Sequence, residues 1–107
     1  MTPYELATAL HRELSPVAPR LSAALNRALV DIGEGSPLIL PGEPASVSFE
    51  ETETLAASDG ADVLAKIFAA LPLLEQHSRW RVAVDRRRGA QTDRLELVYT
   101  LFRIPSC

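Results

Sequence analysis

An α+β fold is predicted for this chain: an N-terminal helical pair, then β-α-β-β, with a small antiparallel or mixed sheet packed on one helix. Three observations carry the prediction. Leucines recur at four-residue spacing through the first third, at Leu6, Leu10 and Leu14 and again at Leu21, Leu25 and Leu29, the period of a helix with one apolar stripe. Alternation replaces that period in "SVSFEET", "WRVAV" and "RLELVYTL", as in strands. Between the first two of these strands, Val63, Leu64, Ile67, Phe68, Leu71 and Leu74 restore the helical period with the broadest apolar face in the chain.

Each element has its own start and stop signals. Thr2 and Glu5 have the spacing of a capping box, and Pro3 occupies the first helical position, where its missing N–H is not needed. Pro16 and Pro19 disfavour helix at Ser15 and Ala18, so the first helix gives way to a second over about residues 19–32, as an αα-hairpin or a kinked helix. Ser15-Pro16 repeats the cap-plus-proline start. Gly33 is the expected C-cap. A joint follows in "GEGSPLILPGEP", residues 33–44, with three glycines and three prolines; its "PLIL" is a candidate extended edge segment. The first strand points Val47 and Phe49 inward and Ser46, Ser48 and Glu50 outward. Ser58 or Asp59 is the expected cap of the third helix, in which Pro72 either makes a kink or splits off a last turn. In the hairpin that follows, Trp80, Val82 and Val84 face one way and Arg79, Arg81 and Asp85 the other, with a connection around Arg88-Gly89-Ala90-Gln91. Leu95, Leu97, Tyr99 and Leu101 continue the apolar face. Val98, Phe102 and Ile104 lie on the opposite face, the mark of a central or partner-covered strand, and Pro105 ends it. One domain is expected over residues 1–107, divided into the helical pair (1–33), the Pro/Gly-rich joint (34–45) and the β-α-β-β unit (46–107).

Composition bounds the function. At 47% hydrophobic and 23% charged residues, the chain has the balance of a globular domain. It has no apolar run near the ~18 residues of a membrane span. The early Glu5 and the lack of a basic stretch argue against a secretory signal, and the single cysteine, Cys107, cannot form an internal disulfide. A cytoplasmic location is the expectation. The net charge of −3 disfavours general nucleic-acid binding. Its distribution is uneven: eight acids and no base between Asp31 and Asp62, then seven arginines against three acids between Arg79 and Arg103.

The run Arg86-Arg87-Arg88 raises the sharpest functional question. A nucleic-acid grip needs stacking aromatics on the same exposed face, but alternation places Trp80 and Tyr99 on the core side. The expectation is a solvated hairpin end whose arginines pair with Asp85, Asp93 and the acidic strand near Glu50, and which docks on protein if on anything. Glu50, Glu51 and Glu53 lack the spacing and glycine of a calcium loop and read as a solvated strand end; mimicry of a nucleic-acid backbone is their other use. His11 and His77 have no ligand-spaced partners. No nucleophile motif or phosphate loop occurs, "GEGSP" having neither the spacing nor the lysine. No enzyme, cofactor or metal is expected.

One resemblance stands beside this reading. Over about residues 63–105 the chain runs helix, strand ending in an acid, then "RLELVYTL". That order resembles the C subunit of bacterial NADH–quinone oxidoreductase and related small subunits of membrane-bound hydrogenases, with their R-[FL]-E-[LV]-V-Y-x-L strand. The matching residues are Arg94, Leu95, Glu96, Leu97, Val98, Tyr99 and Leu101. The family's later Glu-Arg-Glu signature is missing, and the helical pair has no counterpart. The resemblance implies a non-catalytic scaffold subunit contacting electron-transfer subunits. The residues themselves point to a small protein-binding module or accessory subunit, with Arg79, Arg81, Arg86, Arg87, Arg88, Glu50, Glu51, Glu53 and Phe102 as candidate contacts. Its partner is another protein or a second copy. The alternatives are the redox scaffold and a small acidic inhibitor of a nucleic-acid enzyme that acts through the Glu43–Asp62 region.

Overall fold

A computed structural model describes residues 1–33, 48–88 and 91–104. The expected "PLIL" segment, Val47, the Gly89-Ala90 turn, Pro105 and Cys107 lie outside the described residues. The fold is α+β: three helices and a three-stranded antiparallel sheet of order β1-β3-β2.

Helix α1 spans Pro3–Leu14, and its capping box forms: Glu5 N–H donates to Thr2 Oγ1 (3.1 Å) and Thr2 N–H to Glu5 Oε1 (3.4 Å). The Ser15–Ala18 break separates it from α2 (Pro19–Asn26), giving an αα-hairpin. Pro16 starts no helix; α2 begins at Pro19. The helix then widens into a π-helical turn, Arg27–Ile32, closed by a bond from Gly33 N–H to Ala28 O (2.8 Å). Gly33 has φ 76 and ψ −167, a region open essentially to glycine alone.

Strand β1 (Ser48–Ala56) leads through a 3₁₀ turn, Ala57–Asp59, into α3 (Gly60–His77). Asp59 occupies the N-cap position of α3, but its side chain makes no capping bond. The helix runs through Pro72 to His77 as one element. Strands β2 (Trp80–Arg88) and β3 (Arg94–Arg103) complete the sheet. β3 is central, one of the two placements its apolar faces suggested, pairing Glu51 with Tyr99 on one side and Val84 with Tyr99 on the other.

The helices cover one face. Leu97, Tyr99 and Leu101 of β3 and Trp80 of β2 join Leu6, Leu10, Leu14, Leu21, Leu25, Ile67 and Leu74 in the core, with Phe49, Leu55, Val82, Val84 and Leu95 packed against it. Val98, Phe102 and Ile104 stay outside that core. The N-terminal helices and α3 thus share one side of the sheet instead of sandwiching it.

Candidate functional site

Sheet order decides what the charged residues can do. β3 lies between the acidic strand and the arginine strand, so the arginines of β2 cannot pair with the acids of β1, contrary to expectation. Arg86, Arg87 and Arg88 are the last three residues of β2, all exposed. Pleating divides them: Arg86 and Arg88 share the helix-side row with Val82 and Val84, while Arg87 shares the opposite row with Asp85. The described ion pair of the run is Arg87 Nε to Asp85 Oδ2 at 3.9 Å, between two exposed groups. Arg81 does something different. Its Nη1 donates to the carbonyls of Ser78 and Trp80, both at 2.8 Å. The Arg79 carbonyl accepts from Ile104 N–H (2.9 Å). Phe102 is half-buried on the sheet face away from the helices, level with Arg81 and Ser48.

The acids of β1 separate in the same way. Glu50 is exposed. Glu51 is partly exposed, ion-paired to Arg20 Nη1 at 3.4 Å, and its Oε1 also accepts from Thr52 N–H (3.2 Å). Glu53 is no solvated strand end: it is 5% exposed. Its Oε1 accepts from Tyr99 OH (2.6 Å) and its Oε2 from Arg20 N–H (3.1 Å). Arg20 is the second residue of α2, whose N-cap residue, Ala18, has no side-chain oxygen. Glu53 supplies that oxygen from β1, placing a carboxylate at the positive end of the helix. It is therefore structural and leaves the set of contact candidates. Alternation pointed to this, since Glu51 and Glu53 share the parity of Phe49.

Burial and the Glu53 carboxylate both disfavour a charged phenolate, burial more, and push the Tyr99 pKa far above the ordinary 10.0. The folded state therefore holds a proton that the unfolded chain releases. This contribution is fully present below about pH 10 and is lost as pH rises from there towards the higher folded value. Urea midpoints measured between pH 8 and 11 should fall above about pH 10; Tyr99→Phe should flatten that fall.

Trp80 and Tyr99 both face the core, as alternation predicts, and both polar tips are satisfied. Trp80 Nε1 donates to Gly33 O (2.9 Å), which Arg103 Nη1 also approaches (3.3 Å). The Trp80 ring meets Phe49 edge-on at 6.0 Å, and the Arg27 guanidinium lies over Phe49 at 5.0 Å. His11 Nδ1 is 3.0 Å from Ser22 Oγ, linking α1 to α2; exposed His77 ends α3. Among the described residues, no cluster of His, Cys, Asp or Glu is placed to hold a metal ion, and no helix is long and apolar enough to cross a membrane.

One surface was missed by the sequence reading. Phe68, expected inside, is 56% exposed. Exposed Ala61, Ala65 and Pro72 lie on the same flank of α3, with half-buried Leu64 beside them. Next to this stripe, Ala69, Ala70, Leu73 and Lys66 of α3 and Glu13 of α1 line an open cleft of about 380 Å³. The signal was present: α3 is apolar nearly all round, and one element of a single layer cannot bury every side.

No family model matches the chain, and no curated protein and no solved structure matches it either.

Proposed function

We propose that this chain is a small non-catalytic protein-binding module, an accessory subunit that works by docking on another protein. The observation that carries the reading is the second apolar face of α3. Val63, Ile67, Leu71 and Leu74 fill the core, and the flank opposite still presents Phe68 between Ala61, Ala65 and Pro72 to solvent. A helix apolar on every side is ordinarily buried on every side, and a contiguous apolar patch on a small domain marks a contact surface. The absence of a metal-holding cluster among the described residues is compatible with this reading but does not carry it.

The test is capture from a lysate of the native host by the tagged chain, with mass spectrometry of what is retained. A stoichiometric partner is expected for the wild type and its loss for Phe68→Asp. Because Phe68 is exposed, that variant should keep its urea midpoint within about 0.5 kcal/mol of unfolding free energy. Retained flavin or iron–sulfur proteins would select the redox-scaffold form of the reading, and a basic nucleic-acid enzyme the inhibitor form. A wild-type chain that sediments as a dimer, and as a monomer once Phe68 is replaced, would make the partner a second copy. Equal capture by both proteins would remove α3 as the docking surface.

A further inference from the structure

The two edges of the sheet differ in how they are closed. In an antiparallel ladder, residues alternate between exchanging both backbone bonds with the neighbouring strand and turning both groups away from it. The bond from Ile104 N–H to Arg79 O sets the phase for β2: odd-numbered residues bond to β3, and Trp80, Val82, Val84, Arg86 and Arg88 turn their N–H and C=O outward. The bond from Ala57 N–H to Asp93 O (2.8 Å) sets the phase for β1, where the even-numbered residues face outward.

At β1, the outward N–H of Thr52, in the middle of the strand, is taken by Glu51 Oε1. At β2, the first outward residue is closed: Trp80 N–H donates to Ser78 Oγ (3.0 Å), and Trp80 O accepts from Arg81 Nη1. Beyond it, no hydrogen bond from the described residues reaches the outward groups of Val82, Val84, Arg86 and Arg88. An open edge of this length is a template for another strand.

Resting on the protein-binding reading, we infer that the free edge of β2 takes up an extended acidic segment of a partner protein as a fourth strand. Charge complementarity selects the occupant. The helix-side row of β2 runs Val82, Val84, Arg86, Arg88, with exposed Arg87 on the other row. A strand added antiparallel must then read acidic-x-acidic-x-apolar-x-apolar in its own direction, placing its acids beside Arg88 and Arg86 and its apolar residues beside Val84 and Val82. Backbone bonds supply affinity in such strand addition, and the alternate side chains supply selectivity. A second copy fits less well: β2 edges paired in parallel would set arginine beside arginine, where like charges repel, and paired antiparallel about Val84 they would set each arginine run beside Trp80 and Val82 instead of acids. At the β1 edge, the N–H of Thr52 is already taken.

The probe is a fluorescein-labelled peptide, Glu-Thr-Glu-Thr-Val-Thr-Val, titrated with the full chain and followed by anisotropy. Binding is expected, weakened at least about tenfold when lysine replaces glutamate. N-methylation of alternate peptide amides should abolish binding in one phase and spare it in the other, because only one set faces β2. Arg86→Pro removes an outward N–H that β3 does not use, so it should abolish binding with the circular dichroism spectrum retained. If that variant fails to fold, the methylated peptides decide the question on the unaltered protein. The inference is overturned by no binding at millimolar peptide, by equal binding of the lysine peptide, by equal effects of the two methylation phases, or by displacement of the peptide by a DNA duplex at low salt. A chain that is dimeric until Arg86→Pro dissolves the dimer would also overturn it. Any of these results together with intact Phe68-dependent capture leaves the protein-binding reading standing and removes only the strand addition.

Discussion

Trp80→Ala is expected to lower the unfolding free energy by about 3–5 kcal/mol, the range for deleting a buried aromatic. Trp80 is fully buried at the start of β2. Three things are lost together: its volume at the end of the core, its edge-on contact with Phe49, and its bond to Gly33 O. That carbonyl ends the helical arm, so the indole N–H ties the C-terminal end of residues 1–33 to the sheet. Trp80→Phe separates the terms. It keeps most of the ring and removes the donor, and should cost about 1–3 kcal/mol, since Arg103 at 3.3 Å offers only a long replacement bond. Urea denaturation followed by circular dichroism measures both. A Trp80→Ala cost under about 1 kcal/mol would mean that the helical pair and the sheet are not joined through this side chain.

The second large effect belongs to Glu53. Glu53→Leu keeps an apolar volume at the site but strips a partner from Tyr99 OH and from Arg20 N–H, and should cost about 2–4 kcal/mol. Tyr99→Phe leaves a buried carboxylate with one donor fewer and should cost about 1–3 kcal/mol. The informative measurement is the double variant. Once Glu53→Leu has removed the carboxylate, the phenol has nothing to bond, so adding Tyr99→Phe should be nearly neutral. Strict additivity of the two losses would show that the 2.6 Å contact contributes no coupling.

Both effects lie where the sequence was legible to different degrees. Alternation alone placed Trp80 and Tyr99 inward. The same count from Phe49 puts Glu51 and Glu53 on the inward row, whereas a run of three glutamates argues for a solvated strand end. That argument fails at Glu53 because its two donors, 33 and 46 residues distant in sequence, meet there only after α2 has packed on the sheet. A charge is tolerated inside when donors surround it, and donors gathered from two other elements leave no local pattern.

Local chemistry determined much else by itself. The Thr2–Glu5 box, Pro3 and the Ser15–Ala18 break mark the first helix and its end through bonds within a few residues, so they read directly from the chain. The residue at the end of the helical arm had to be Gly33, because its φ of 76 excludes side chains. The two apolar faces of β3 pointed to a central or partner-covered strand without choosing between them. Tertiary structure decided which surfaces stay open. Periodicity reports that a helix or strand has an apolar side, not what comes to lie against it; Phe68 and Ile67 are equivalent by hydropathy and differ only in which flank of α3 meets the sheet. Strand order was likewise invisible in the sequence, since acidic β1 and arginine-rich β2 would pair favourably by charge. The fold puts them on opposite edges instead, because β3 bonds to β2 along one side of its backbone and to β1 along the other.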